Sequence, residues 1–308
     1  MMGTKHSSPI FVFDYPRSCS NLFGKMFSAH PQVQYTKHPY FAAAAYGPEK
    51  IELKTASKDV PPDAPTGIEG QWAHMTHDRA KEELEEKLVN AEREGKIALL
   101  QEHAGACMKY EVVYSLLSEG RLPETSANPS HISESFLQRC KPVFLIRHPA
   151  LTVPSLYRML TKLRVAQLDD ESFKWCSSLQ WSKMLYDYLC TGRTQPPVVL
   201  DAEDLVHKTT ATISKLCKQL DLDEDGVRQT WEPESTNERD ITGDDWVMKL
   251  QYSRGIIRDE KRLPDGYLDL GVSMKDYVQE IGQDVASTLR GMVEGEMEAY
   301  LYLRRRKL

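Results

Sequence analysis

Residues 9–22 combine an apolar segment with a short polar loop that could bind an anion. Segment 9–13 has the continuous hydrophobicity of a buried parallel strand, and apolar residues recur at helical spacing from Asn21 onward. The loop between them contains Arg17, Ser18, Cys19, Ser20 and Asn21. A loop entering a helix directs backbone N–H groups and the positive end of the helix dipole at one point, which favours phosphate or sulfate. The alternative is an ordinary strand-to-helix connection capped by Ser20 or Asn21.

Two titratable residues follow a second apolar segment. Segment 96–101 is predicted to be a buried strand, and Glu102 and His103 come directly after it. Open α/β sheets bind ligands at the carboxyl ends of their strands, so both residues would lie near the first loop if the strands are neighbours. An imidazole can take a proton from a hydroxyl or amine near neutral pH. The alternative for His103 is a structural histidine whose hydrogen bonds are satisfied within the fold.

A third apolar segment ends in an arginine. Segment 142–146 is followed by Arg147, and Ser155 lies eight positions later in a predicted helix. An arginine that ends a buried strand is unusual and favours a ligand-binding role, although Arg147 could also be a surface residue before Pro149. The alternative for Ser155 is a helix residue whose hydroxyl bonds to its own backbone. Glu203 and Asp204 are predicted to cap the helix that follows a fourth strand.

Strands alternate with helices along the chain. The predicted strands are 9–13, 96–101, 142–146 and 197–200, and the predicted helices are 78–94, 150–163, 171–189, 201–220 and 273–304. This alternation predicts an α/β fold with three layers, a mostly parallel central sheet flanked by helices. We expect a single domain over 1–308, with an irregular, substrate-covering insertion at 35–77 and a helical C-terminal part at 221–308.

Composition limits the classes of function. The chain has 308 residues, 41% of them hydrophobic, and a net charge of -6, which argues against nucleic-acid or anionic-membrane partners. The six cysteines are scattered without a C-x-x-C pair, which indicates neither a zinc site nor disulfides. His74 and His77 have no acidic or cysteine partner nearby, so no metal is expected. No signal peptide or transmembrane segment is predicted, and we expect a cytoplasmic protein.

Four stretches, in this order, resemble the sulfotransferases that use 3'-phosphoadenosine-5'-phosphosulfate. Residues 16–22 (Pro-Arg-Ser-Cys-Ser-Asn-Leu) resemble their 5'-phosphosulfate loop, and Arg147 with Ser155 resembles their 3'-phosphate motif. Residues 101–103 (Gln-Glu-His) stand in the place of their Lys-Thr-His, and 203–205 match their Glu-Asp-Leu. The resemblance covers residues 9–220 and implies the P-loop NTPase-like sulfotransferase fold.

The resemblance also implies an activity and its residues. The activity would be transfer of a sulfuryl group from that cofactor to a hydroxyl or amine of a small molecule, in small-molecule metabolism and without a metal. The implied catalytic residues are His103 as general base, Glu102 and Arg17. The implied cofactor-binding residues are Arg17, Ser18, Cys19, Ser20, Asn21, Arg147, Ser155 and Arg254, the last from a partial match to a late Arg-Lys-Gly motif.

Two departures from the family pattern keep alternatives open. Cys19 stands where the family has glycine, and Gln101 replaces a lysine that assists the sulfuryl group. One alternative is an enzyme on the same scaffold that uses Glu102 and His103 as an acid/base pair for elimination, cyclisation or hydrolysis. The other is a non-catalytic nucleotide-binding relative. The sequence indicates neither the acceptor nor the oligomeric state.

Overall fold

Five parallel strands form the central sheet of the computed structural model, which describes residues 8–54, 70–121, 127–163, 166–234, 245–258 and 270–308. The strands are β1 (Ile10–Asp14), β2 (Val33–Lys37), β3 (Ile97–His103), β4 (Lys141–Ile146) and β5 (Val198–Asp201). Their order across the sheet is β2-β3-β1-β4-β5. All five carboxyl ends therefore meet at one edge, with β1 at the centre between β3 and β4.

Helices cover both faces of this sheet. They are α1 (Ser20–Phe27), α2 (Phe41–Tyr46), α3 (His77–Arg93), α4 (Ala104–Cys107), α5 (Tyr110–Glu119), α6 (Glu134–Arg139), α7 (Pro149–Leu163), α8 (Glu171–Ser177), α9 (Gln180–Cys190), α10 (Ala202–His207), α11 (Thr209–Leu220), α12 (Asp245–Tyr252), α13 (Leu270–Ile281) and α14 (Gln283–Arg304), with a short 3-10 turn at Glu224–Gly226. No helix of the described ranges is both long and apolar enough to cross a bilayer.

Alternating side chains of β1 build two separate cores. Phe11 and Phe13 pack with α2, α3, α9 and α14 on one face, whereas Ile10 and Val12 pack with α1, α10 and α11 on the other. Every residue of this strand is buried. A central strand covered on both faces reads as a continuous apolar run, which is why the sequence predicted it. The predicted three-layer α/β fold is confirmed.

The segment predicted to be irregular from residue 35 is partly regular. β2 pairs in parallel with β3, and α2 follows it with Ala43 and Ala44 buried. The prediction was wrong here because β2 is an edge strand in which only Val33 and Thr36 are buried, so it lacks a continuous apolar run. Residues 55–69 of the predicted insertion lie outside the described ranges.

Three predicted helices are each broken into two. The 171–189 helix is interrupted at Ser178, and the 201–220 helix at Lys208, where the backbone leaves helical geometry. The 273–304 helix divides at Gly282, whose φ of 84° no helix accommodates. Hydrophobic spacing persists across each break, so periodicity alone predicted one element instead of two.

Candidate active site

The loop between β1 and α1 has two residues in the left-handed region. Arg17 has φ 71° and Cys19 has φ 66°, and α1 begins at Ser20. Cys19 is the N-cap and makes no side-chain capping bond, so the predicted caps at Ser20 and Asn21 are wrong. A non-glycine residue in this region costs about 1–2 kcal/mol. Such strain is kept where the surrounding structure demands it, and functional loops are the usual place.

Contacts from a distant helix and from the end of β4 hold this loop. Arg17 Nε donates to Ser155 Oγ on α7 at 3.0 Å, and Arg147 Nη1 donates to the Arg17 carbonyl at 3.2 Å. The Ser18 hydroxyl is buried and has no hydrogen-bond partner among the described residues. An unsatisfied buried hydroxyl beside a helix N-terminus is an available donor for an anion.

A cleft of about 890 Å³ opens above the loop. The predicted residues that line it are Arg17, Cys19, Ser20, Asn21, Arg147 and Ser155. The sequence did not predict a binding role for five further lining residues, which are Leu22, Val206, His207, Leu250 and Ile257. The cleft therefore brings the 16–22 and 147–155 stretches to one cavity, with two guanidinium groups and a helix N-terminus facing the same space.

Arg147 is held by a buried carboxylate. Its Nε donates to Glu203 Oε1 at 3.1 Å, and the Tyr15 hydroxyl donates to its carbonyl. Burial disfavours the Arg147 charge, but Cys19 and Glu203 outweigh it electrostatically, and the pKa of Arg147 is raised. Glu203, predicted to cap a helix, thus pairs with an arginine of the cleft, while Asp201 caps α10 by accepting from Glu203 N at 3.0 Å.

His103 ends β3 and faces Asp14, the last residue of β1. The two are direct partners across the parallel pair, and His103 Nδ1 donates to Asp14 Oδ1. Burial opposes both charges, but the mutual attraction and the hydrogen bond outweigh it. The pKa of His103 is raised and that of Asp14 is lowered. With Nδ1 engaged, Nε2 is the nitrogen left to exchange a proton with a ligand.

Glu102 points away from the cleft into the opposite core. Its carboxylate accepts from the backbone N–H groups of Tyr40 at 2.7 Å, Phe41 at 2.9 Å and His103 at 2.7 Å, and from His38 Nδ1 at 2.9 Å. Four donors occupy the acceptor positions of this fully buried carboxylate. Glu102 therefore ties α2 and His38 to the end of β3.

His38 is a second histidine at this strand edge, and the sequence pattern did not predict it. Its ring centroid lies 4.4 Å from that of His103, and its backbone is left-handed with φ 53°. Each of the two rings is bonded to a buried carboxylate through Nδ1. The available signal was its position: like Asp14 and Arg147, His38 lies at or just beyond the carboxyl end of a strand.

Gln101 is fully buried and serves the same network. Its Nε2 donates to Asp14 Oδ2 at 2.7 Å and to the Ser20 carbonyl at 3.1 Å, while its Oε1 accepts from Tyr35 at 2.7 Å. The amide thus fixes Asp14 and the start of α1. It brings no positive charge to the place where the family has lysine.

Arg254 is not brought to the cleft. Its side chain is 75% exposed and pairs with Glu232 at 2.8 Å. Leu250 and Ile257, on either side of it, do line the cleft. Arg258 instead donates to the Val206 carbonyl at 3.0 Å and to Thr209 Oγ1 at 3.2 Å.

A second, small apolar pocket lies beside His103. Its walls include Tyr15, Phe41, Trp175, Cys176 and Trp181. Both indole N–H groups are occupied, because Trp175 donates to the Gly105 carbonyl and Trp181 to the Trp175 carbonyl. Within the described ranges, no group of three or more His, Cys, Asp or Glu side chains is arranged to hold a metal ion.

Comparison with known proteins gives consistent similarities. The model of the "Sulfotransferase family" matches residues 9–226. "Sulfotransferase ppzF" of Metarhizium majus is 24% identical over 333 aligned positions, covering 97% of this chain and 96% of the relative, and that of Metarhizium rileyi is 23% identical, covering 97% and 95%. Among solved structures, a sulfotransferase from Alicyclobacillus acidocaldarius is 16% identical with a TM-score of 0.46, covering 79% of this chain and 95% of its own.

Proposed function

The chain belongs to the sulfotransferase family, and we propose that it transfers a sulfuryl group from 3'-phosphoadenosine-5'-phosphosulfate to a hydroxyl or amine of a small molecule. Family membership supports the transferase class and the predicted sulfotransferase fold. The observation that carries the finer proposal is the single cleft that Arg17, the start of α1, Arg147 and Ser155 share.

The residues of the cleft fit such a cofactor. The backbone of residues 18–21, with the unpartnered Ser18 hydroxyl and the Arg17 guanidinium, would hold the 5'-phosphosulfate end. Arg147 and Ser155 would bind the 3'-phosphate. When bound, the cofactor supplies the sulfuryl group that the acceptor receives. Arg17 and the helix N-terminus would stabilise negative charge that develops on the phosphate oxygens.

His103 would take the proton of the acceptor. Because Nδ1 is engaged by Asp14, Nε2 is the nitrogen that would accept this proton, and the Asp14 carboxylate both orients the ring and stabilises the imidazolium that forms. The apolar pocket beside it, with Phe41, Trp175 and Trp181, would place the acceptor hydroxyl next to this nitrogen.

Glu102 would have a positioning role, because it holds α2 and His38 against the end of β3. Gln101 would also have a positioning role, because it fixes the carboxylate of Asp14. Since four donors saturate the Glu102 carboxylate, it has no lone pair with which to exchange a proton during the reaction. This geometry favours sulfuryl transfer over the alternative in which Glu102 and His103 form an acid/base pair.

Titration calorimetry with 3',5'-adenosine bisphosphate tests the proposal. We expect binding to the wild type and a loss of about tenfold or more in affinity for Arg147→Ala. His103→Ala should bind the nucleotide normally but lose roughly 10²–10⁴-fold in sulfation of an acceptor panel. A wild type that does not bind the bisphosphate would contradict the proposed cofactor.

A further inference from the structure

One titratable residue of the cofactor cleft, His207, has no part in the proposed sulfuryl transfer. His207, the last residue of α10, lines the cleft, and its Nε2 is buried without a hydrogen-bond partner among the described residues. This atom lies 3.5 Å from Glu203 Oε2. The other oxygen of the same carboxylate accepts from Arg147 Nε at 3.1 Å. Glu203 therefore connects His207 to the arginine that we assign to the 3'-phosphate.

Binding of a nucleotide 3'-phosphate would add negative charge beside Glu203 and His207. Among the described residues, the charged groups around His207 include Glu203 on its own helix, Arg147 and Arg17, which line the same cleft, and Arg258, which donates to the carbonyl of the preceding Val206. Only Glu203 among them is negative, and its carboxylate is 7% exposed. A phosphate monoester brings nearly two negative charges at neutral pH. Placed beside Arg147, it would repel the buried Glu203 carboxylate at short range.

We propose that His207 takes up a proton when a nucleotide 3'-phosphate binds, pairs as an imidazolium with Glu203, and so frees Arg147 to bind the phosphate. The inference rests on the proposed function. The proton comes from solvent, and no covalent bond is made or broken. His207 and Glu203 are four residues apart on α10, so this ion pair can form by a small side-chain movement.

His207 thereby becomes a determinant of specificity for a 3'-phosphorylated nucleotide. A nucleotide that carries only a 5'-phosphate occupies the other end of the cleft and leaves the pair between Arg147 and Glu203 in place. Its binding should therefore take up no proton at His207.

Titration calorimetry at pH near 7.5, in two buffers of different ionisation enthalpy, measures the proton directly. For 3',5'-adenosine bisphosphate we expect uptake of a large fraction of one proton, about 0.5 or more, by the wild type. His207→Asn should abolish this proton uptake and lower the affinity for the bisphosphate about tenfold. Its affinity for adenosine 5'-phosphate should be unchanged, which also shows that the variant is folded. His74→Asn, which removes an exposed histidine, should behave as the wild type.

The outcomes separate this inference from the proposed function. Tight bisphosphate binding with equal apparent enthalpies in the two buffers would overturn the role of His207 and leave the cofactor proposal standing. Uptake that persists in both His207→Asn and His207→Gln would also overturn it, because another group would then take the proton. No binding of the bisphosphate to the wild type would overturn the proposed cofactor and this inference together.

Discussion

Asp14 and His103 lie opposite each other at the carboxyl ends of two adjacent parallel strands, and the histidine donates its Nδ1 hydrogen to the carboxylate. The register of β1 with β3 sets this contact, so the sheet fixes the position of the His103 ring. The raised pKa of His103 and the lowered pKa of Asp14 have this one contact as a common cause. The contact should therefore affect both the pH dependence of the catalytic rate and the pH dependence of the free energy of unfolding.

Asp14→Asn should change the pH dependence of catalysis. If neutral His103 is the base, the rate rises with pH through the raised pKa of this histidine. Removing the Asp14 charge lowers that pKa, so the rising limb should move to lower pH while kcat falls by roughly 10²-fold through lost orientation and charge stabilisation. Profiles of kcat/KM against pH measure the shift. Asp170→Asn, which alters a buried carboxylate outside the site, should leave the limb in place. An unmoved limb in Asp14→Asn would exclude His103 as its source.

The same pair should stabilise the fold only within a window of pH. The lowered pKa of Asp14 gives stability that is present above its ordinary value of 3.8 and lost as pH falls through the folded value. The raised pKa of His103 gives stability that is full below its ordinary value of 6.5 and lost as pH rises through the folded value. Denaturant unfolding of wild type and Asp14→Asn should therefore differ most between about pH 4 and 6.5, by roughly 3 kcal/mol. A difference that grows steadily above pH 8 would contradict the assignment.

The sequence predicted four of the five strands and missed the edge strand β2, for a physical reason. β1, β3 and β4 are covered on both faces and appear as apolar runs, whereas Val33 and Thr36 are the only buried residues of β2. Arg147 and His103 were predicted because each lies at the carboxyl end of a predicted strand, where open α/β sheets bind ligands. The sequence could not supply Asp14 as partner of His103, because their contact depends on the register of strands 89 residues apart. Nor could it show that the Glu102 side chain points to the N–H groups of α2.

Cys19→Gly should stabilise the protein. Cys19 adopts φ 66°, a conformation that glycine reaches without a clash between its side chain and the backbone. We expect a gain of about 0.5–1 kcal/mol in the free energy of unfolding, and nucleotide affinity at least equal to that of the wild type. Denaturant titration measures the gain. Cys19→Ala keeps the strain and serves as the control. A glycine variant less stable than the alanine variant would show that the left-handed loop is not strained.

Glu102→Gln separates positioning from acid/base chemistry. The amide would turn an NH₂ group toward donors that now share a carboxylate, namely the N–H groups of Tyr40 and Phe41 or the ring of His38. We expect a loss of roughly 3 kcal/mol in stability together with reduced activity, because the end of β3 and α2 would be displaced. Chemical denaturation and the rate should be measured on the same sample. Lost activity at unchanged stability would instead favour a direct chemical role for Glu102.

Gly105→Ala should narrow the apolar pocket without touching the cofactor cleft. A Cβ at Gly105 would lie 3.0 Å from Trp175 Nε1 and 3.1 Å from Trp181 Cδ1, so the two indoles that wall the pocket must move. We expect the KM of the acceptor to rise by about tenfold or more, with the affinity for 3',5'-adenosine bisphosphate unchanged. Gly291→Ala is the matched control, because nothing lies within 4 Å of a Cβ there and helix α14 should gain up to about 1 kcal/mol. Equal acceptor KM values for the wild type and Gly105→Ala would show that the acceptor binds elsewhere. An acceptor bound between the two indoles would be affected when they move.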